Sequence, residues 1–399
     1  MSEVRAALEA VHQRLTPPGD AFERFLAYDR RRQRRRRVAA GAVALVVAAA
    51  GAGFVLRAFA TQDAPGPSET AGPTLRAANP KMAWTVPVGP TGQTSAILYA
   101  EGGLWVSVRE ETENVHVEDL LLVRLDPDTG REVARIEAPV PGWTFGGGGL
   151  AAGFGSVWVT GADPASPDAA RATVHRIDPA TNEVMARIPL DGRVGGDIAI
   201  GADAVWVAFS GRGSAEVARI DPTTNEVVAT IALPSNYARS IVAAGDAVIV
   251  TELVWEKGGG PCAVLTSIDP QSNQVVARAP VERGCGAART FAWEGDVWAA
   301  TYGISRVDPH TAKPVGEQVR FDEGRLPRSF LLANDTEIWF AAYPGGNGTS
   351  PDTLARLNPA TGRIEYFEGA DPGGIAATLG PGAIWILDFD GSVTRIDLR

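Results

Sequence analysis

Residues 217–233 read VARIDPTTNEVVATIAL: a strand, a tight turn and a second strand. Val217, Ile220, Val227, Val228 and Ile231 supply the β-branched side chains that suit a pleated, half-buried ladder. Between the two runs, Asp221-Pro222-Thr223-Thr224-Asn225 carries the turn chemistry. Asp221 can accept hydrogen bonds from backbone two or three residues on, Pro222 presets φ for the second turn position, and Asn225 tolerates the left-handed conformation.

The unit recurs down the chain. Its corner is found at Asp126-Pro127, Asp178-Pro179, Asp221-Pro222, Asp269-Pro270 and Asp308-Pro309, then as Asn358-Pro359, and in a truncated copy at Arg395-Ile396-Asp397. Successive differences between these numbers are 52, 43, 48, 39, 50 and 39 residues, the period of a four-stranded propeller blade with insertions. A second motif precedes each corner: Leu104-Trp105-Val106, Val157-Trp158-Val159, Val205-Trp206-Val207, Val297-Trp298-Ala299, Ile338-Trp339-Phe340 and Ile384-Trp385-Ile386. Val248-Ile249-Val250 stands in its place in the fourth copy. Repeated tryptophans could form a ligand-stacking cage, but a residue present in nearly every blade is more simply the wedge between adjacent sheets. A further apolar run ahead of each Trp strand makes four strands per repeat, A to D from the axis outwards.

The chain ends complement each other. The last copy stops after strand C, while Met82-Ala83-Trp84-Thr85-Val86-Pro87-Val88 has the pattern of an orphan strand D and matches Val184 to Leu190 position by position. Docked beside Val393 to Leu398, it is predicted to close an all-β, seven-bladed ring over residues 81–399 and to remove an exposed sheet edge.

Different physics governs the start of the chain. Residues 1–37 combine short helix-compatible amphipathic segments, broken at Pro17-Pro18-Gly19, with the basic run from Arg30 to Arg37. Val38 to Leu56 follows without a charge; as a helix it would be about 28 Å long, enough to cross a hydrocarbon core. A transmembrane helix is therefore expected within residues 38–60, with the arginines holding the N-terminus in the cytoplasm. Ala58-Phe59-Ala60 has the form of a cleavage site, but the long flank, the length of the apolar run and Arg57 favour an uncleaved anchor. Residues 61–80, rich in Pro, Gly and small polar side chains, read as the linker to the ring.

Charge divides along the same line. Residues 1–37 hold 10 Arg against 5 acidic residues; the remaining 27 basic and 42 acidic residues then give −15, for the overall −10. An acidic ring is a poor general binder of nucleic acid. Cys262 lies just ahead of a strand C and Cys285 just after the partner strand D, so the hairpin brings both to one end, where a disulfide or two buried thiols are the alternatives.

Three segments, IDPTTNEVVATIAL, IDPATNEVMARIPL and IDPQSNQVVARAPV, together with the preceding Val-Trp-Val strands, resemble the YVTN-type repeat of seven-bladed propellers. The virginiamycin B lyase (streptogramin lyase) propellers are similar. The resemblance covers Met82 to Arg399 and implies the fold more strongly than a function. The N-terminal arrangement resembles that of actinobacterial membrane proteins associated with extracytoplasmic-function sigma factors, which implies a cytoplasmic partner for residues 1–37.

The lyase branch implies histidines and a glutamate at the channel mouth with a magnesium ion. Of the four histidines, His12 lies in the cytoplasmic segment, His116 in an acidic loop, His175 within a strand and His310 in a corner. None has ligand spacing, so no catalytic residue, metal or cofactor is assigned. Asp388-Phe389-Asp390-Gly391-Ser392 has a calcium-loop outline but lacks the downstream Glu, and Asp390-Gly391 is read as a hairpin turn. The connections from strand B to strand C swell, as at Glu110 to Asp119 and Tyr343 to Asp352, while the turns from A to B and from C to D stay short; one face is elaborated, as on a binding scaffold.

On that face, strand A opens alike in three consecutive blades: Arg239-Ser240-Ile241, Arg289-Thr290-Phe291 and Arg328-Ser329-Phe330. Matching positions elsewhere are small, as in Gly149-Leu150 and Gly374-Ile375, or acidic at one register on, as at Asp197. Three guanidinium groups at one channel mouth, with Ser240, Thr290 and Ser329 and flanked by Tyr237, Tyr302 and Tyr343, would bind a carboxylate, phosphate or sulfate. The competing account pairs each Arg with a neighbouring carboxylate. The sequence thus reads as a single-pass membrane protein with an extracytoplasmic propeller that binds or senses a small anionic ligand or a protein. The alternatives are a lyase-like enzyme and a regulator that couples an envelope signal to a cytoplasmic partner such as a sigma factor.

Overall fold

The computed structural model describes residues 80–89, 94–111, 118–138, 149–163, 171–210, 214–255, 261–281, 289–300, 303–320, 325–334, 337–344, 353–358, 361–367 and 374–398. The expected cytoplasmic segment, membrane span and linker up to residue 79 lie outside them. Among the described residues no helix is long and apolar enough to cross a membrane.

Every described element is a strand. After β1 (Lys81–Pro87), blade 1 comprises β2 (Thr94–Ala100), β3 (Gly103–Glu111), β4 (Glu118–Leu125) and β5 (Glu132–Ala138). Blade 2 starts with β6 (Leu150–Gly153), β7 (Ser156–Asp163) and β8 (Arg171–Asp178). The next strand, β9 (Glu183–Gly201), serves two blades: its first half pairs with β8, and its second half is the inner strand for β10 (Ala204–Ser210). Blade 3 is completed by β11 (Ala215–Asp221) and β12 (Glu226–Ala232). Blade 4 is β13 (Ala238–Ala244), β14 (Ala247–Trp255), β15 (Pro261–Asp269) and β16 (Gln274–Pro280). Blade 5 is β17 (Arg289–Trp293), β18 (Asp296–Ala300), β19 (Gly303–Asp308) and β20 (Lys313–Arg320). Blade 6 is β21 (Arg325–Ala333), β22 (Ile338–Pro344), β23 (Thr353–Asn358) and β24 (Arg363–Phe367). Blade 7 contains β25 (Ala376–Gly380), β26 (Ala383–Leu387) and β27 (Ser392–Asp397).

The fourth strand of blade 7 is β1, antiparallel to β27 with Met82 opposite Ile396, Trp84 opposite Arg395 and Val86 opposite Val393. The N-terminal strand therefore closes the ring as its sequence predicts. Blades 2 and 3, expected as separate four-stranded sheets, instead share one seven-stranded sheet. The crossing between them stays extended because Arg193 pairs with Arg171 on one side and Ser210 on the other. Gly196 lets the two strands approach closely there: a Cβ would meet the Ala208 carbonyl oxygen at 2.5 Å.

The corners behave as their residues dictate. Asp221 accepts from the Thr223 amide at 2.7 Å and the Thr224 amide at 3.4 Å, and Asn225 adopts φ 59°. Asn182 and Asn273 take the same left-handed conformation at 62° and 56°. These backbone bonds, led by the one from Thr223, hold the Asp221 carboxyl below its ordinary range.

Each Trp is a wedge to the following blade. Trp105 packs on Val157 and Val159, Trp158 on Val205 and Val207, Trp206 on Val248 and Val250, and Trp385 on Leu104 and Val106. An arginine from strand C of the same blade lies over the ring, at 4.9 Å for Arg124 on Trp105 and Arg176 on Trp158 and 5.3 Å for Arg219 on Trp206. The guanidinium then crosses to the next corner. Arg176 donates to the Pro222 carbonyl at 2.6 Å and Asn225 Oδ1 at 2.9 Å, and Arg124 and Arg219 do the same to Pro179 with Asn182 and Pro270 with Asn273. Arg395 closes the circle on the Pro127 carbonyl and Asp128. In blade 4 both partners change together: Ile249 stands opposite Ser267, whose hydroxyl donates to the Pro309 carbonyl. Arg306 and Arg356 instead pair with carboxylates of their own blades, Asp296 for the first and Glu337 and Glu365 for the second.

Candidate functional site

The inner strands leave one edge unpaired within their sheets, since β13, β17, β21 and β25 each end a sheet. Polar side chains from one blade satisfy the inner backbone of the next. Thr378 accepts from the Tyr99 amide at 2.9 Å, and the Thr160 hydroxyl donates to the Gly196 carbonyl at 2.8 Å. Asp197, on the inner half of β9, accepts from the Ile241 amide of β13 at 3.1 Å through one carboxylate oxygen and from the Ile198 amide at 3.0 Å through the other. Burial pushes the Asp197 carboxyl up to about 6, against the two amides, which lower it. No cation is ion-paired to it among the described residues.

Next to it, β13 carries a bulge. Ala238 faces Glu252 and Ser240 faces Thr251, so Arg239 is the extra residue between two ladder positions. Bulges re-aim a side chain out of the alternating pattern. The Arg239 side chain is half-buried and, among the described residues, makes no hydrogen bond or ion pair. Beyond it the hydroxyls of Ser240, Thr290 and Thr251 form a chain between blades 4 and 5, with oxygen separations of 3.2 and 3.0 Å at Thr290.

The three arginines singled out in the sequence do not share one register. The inner-strand residues facing the wedge position are Val242, Phe291 and Leu332. Arg239 lies three residues ahead of the first, Arg289 two ahead of the second and Arg328 four ahead of the third. Arg289 opens the ladder opposite Ala300, whereas Arg328 and Ser329 fall in the irregular stretch between Pro327 and Leu331, which face Ala342 and Phe340. The side chains of Arg289, Arg328 and Ser329, and residue Tyr302, lie outside the described set, as does the side chain of Tyr343. Ser240 and Thr290 are brought together; Tyr237 packs against the core between blades 4 and 5.

Cys262, in β15 opposite Val254, is disulfide-bonded, while Cys285 lies outside the described residues. His175 is buried in β8 between Val159 and Arg187 of its neighbours, and His310 is exposed in its corner. Asp390-Gly391 forms the hairpin turn between β26 and β27, with Gly391 at φ 85° and Asp390 accepting from the Ser392 amide and hydroxyl. His12, His116 and the elaborated strand B to strand C loops are outside the described residues.

Two groups are invisible to motif reading. In sequence Asp197 is no more than an acidic variant of a small position, although its bond to the next blade defines the inner edge. Glu252, completely buried on β14, accepts from the Ser235 amide at 2.9 Å, from the Thr266 hydroxyl and from Arg278 at 3.2 Å, and so pins the crossing from blade 3 to blade 4. The one signal of it in the sequence is a lone Glu in an otherwise apolar strand, AVIVTELVW.

A pH dependence follows from Asp197. Its folded value near 6 lies above the ordinary 3.8, so the folded state holds the proton more tightly. The stability this contributes is present below about pH 4 and is lost as pH rises through about 6. Urea unfolding of wild type relative to Asp197→Asn should therefore show a stability difference that declines across that window and then levels; a rising difference would mean that the carboxylate is held ionised.

No family model matches the chain, and no curated protein matches it by sequence. Among solved structures, a chain of Kuenenia stuttgartiensis hydrazine synthase is similar, with a TM-score of 0.53 at 13% identity, covering 77% of this chain and 96% of that one. At that identity the likeness shows the fold alone: this chain is a seven-bladed β-propeller.

Proposed function

We propose that the ring is a binding or sensing module whose ligand presents an anionic group at the start of the inner strands. The observation that carries this reading is Arg239, a half-buried guanidinium with no partner among the described residues, set in a bulge beside the hydroxyls of Ser240 and Thr290. A charge partly withdrawn from water bears part of the desolvation cost, and a carboxylate, phosphate or sulfate offers the charge-assisted hydrogen bonds that offset it. Arg289 and Arg328, on the next two inner strands, are proposed to complete the site.

The same proposal places the ring outside the cytoplasm on a single uncleaved anchor, supported by the arginine run abutting Val38 to Leu56, with residues 1–37 available to a cytoplasmic protein. A topology assay that finds the C-terminus in the cytoplasm would overturn that placement. For the site, thermal unfolding of the full-length protein is measured with phosphate, sulfate and simple carboxylates. At least one should raise the midpoint of the wild type and not that of Arg239→Ala, because only binding to the native state stabilises. Equal shifts in both proteins, or none in either, would sink the anion reading.

A further inference from the structure

The inner strands of blades 3 and 4 carry opposite charges that do not meet. Asp197 reaches across to β13 and bonds the amide of Ile241, two residues beyond Arg239 on the same strand. Yet no ion pair joins the two side chains, and neither has another charged partner among the described residues. In a ring of strongly acidic balance, where Arg124, Arg176, Arg219, Arg306, Arg356 and Arg395 all have bonded partners, this separation stands out. A carboxylate and a guanidinium held partly out of water and apart from each other bear the desolvation penalty without the Coulombic gain. A ligand carrying the complementary pair of charges supplies that gain to both at once.

We infer that the ligand is a small zwitterion, its anionic group on Arg239 and its ammonium group on Asp197; this rests on the anion site proposed above and narrows the class of compound that fills it. Each Asp197 oxygen already accepts one backbone amide and retains a second lone-pair direction for an ammonium donor. A bare metal ion is disfavoured, because a single carboxylate offers too few oxygens and a guanidinium stands nearby. Size follows from the strand. Arg239 and Ile241 are two positions apart, roughly 7 Å of extended chain, which suits an amino acid or a short ω-amino acid better than a long or polymeric ligand.

The test compares three probes of matched length, butyrate, butylammonium and 4-aminobutyrate, with glycine and 6-aminohexanoate added to vary the charge separation. Binding to the full-length protein is followed by calorimetry. At least one amino acid of the series should bind ten-fold or more tightly than butyrate to the wild type. Asp197→Asn should abolish that advantage while leaving butyrate binding in place, and Arg239→Ala should lose both. If butyrate binds the wild type as well as every amino acid does, the zwitterion inference is overturned and the anion site stands, an outcome read from the wild type alone. An unchanged advantage in Asp197→Asn likewise removes Asp197 from the ligand. If neither carboxylates nor amino acids bind, the zwitterion inference is overturned, and the anion reading stands or falls separately on the phosphate and sulfate measurements.

Discussion

Replacing Trp385 by Ala is expected to destabilise the protein by about 3–5 kcal/mol, the range for deleting a fully buried aromatic side chain. The indole is 2% exposed, stacks on Tyr99 at a centroid distance of 5.0 Å, lies under Arg395 and donates to the Pro127 carbonyl at 3.2 Å. All these partners except Arg395 belong to blade 1, so the loss falls on the packing of blade 7 against blade 1, the blade entered by the chain that leaves the closing strand β1. Trp298 provides the internal control. Its ring is half-buried, and its indole N–H makes no hydrogen bond among the described residues. Trp298→Ala should therefore cost about half as much, through lost packing on Ile338, Phe340 and the Trp293 ring, with no hydrogen bond to lose among the described residues. Denaturant unfolding of the two variants decides the matter; equal losses would mean that the joint between blades 7 and 1 holds no special share of the stability.

Glu252→Ala should show a loss of about 3–5 kcal/mol by a different mechanism, because breaking a buried ionic network strands the groups left behind. Without the carboxylate, the Ser235 amide, the Thr266 hydroxyl and the Arg278 guanidinium lose their acceptor. Arg278 is 34% exposed and can turn to water, which places the expected value toward the lower end. Glu252→Gln keeps one acceptor oxygen but sets an NH2 against either the Ser235 amide or the Thr266 hydroxyl, so a smaller loss is expected. A change below about 1 kcal/mol in the Ala variant would show that the crossing at residues 233–237 is held by its backbone bonds to Ala215 and Leu253.

The two substitutions probe different layers of one design. Trp385 acts through a motif present in six of the seven repeats, whereas Glu252 occurs once, in the blade whose wedge is Ile249 and whose strand C carries Ser267 in place of Arg. Blade 4 thus departs from the repeat in its wedge and its latch, contains the buried carboxylate, and contributes Arg239 to the inner rim. Departures from a repeat are where a scaffold is free to carry function.

The number of blades, the position of each corner and the closing role of residues 81–87 are legible in the amino-acid order. They follow from local chemistry: Asp, or Asn358 in blade 6, caps the turn from within, Asn or Gly takes the left-handed position in every described corner but that of blade 5, where Ala312 does, and the alternation of strand residues repeats at a period only a blade can satisfy. Which side chains meet across blades is settled only when the sheets pack. Asn225 is legible as a turn residue, but not as the acceptor for Arg176, 49 positions earlier, because that contact depends on the angle between sheets. The common opening of three inner strands likewise dissolves on folding. Bulges at Arg239 and between Pro327 and Leu331 insert residues that shift the register, and only the ladder hydrogen bonds reveal them. Asp197 gains its place at the inner rim in the same way, through a single bond to the neighbouring strand.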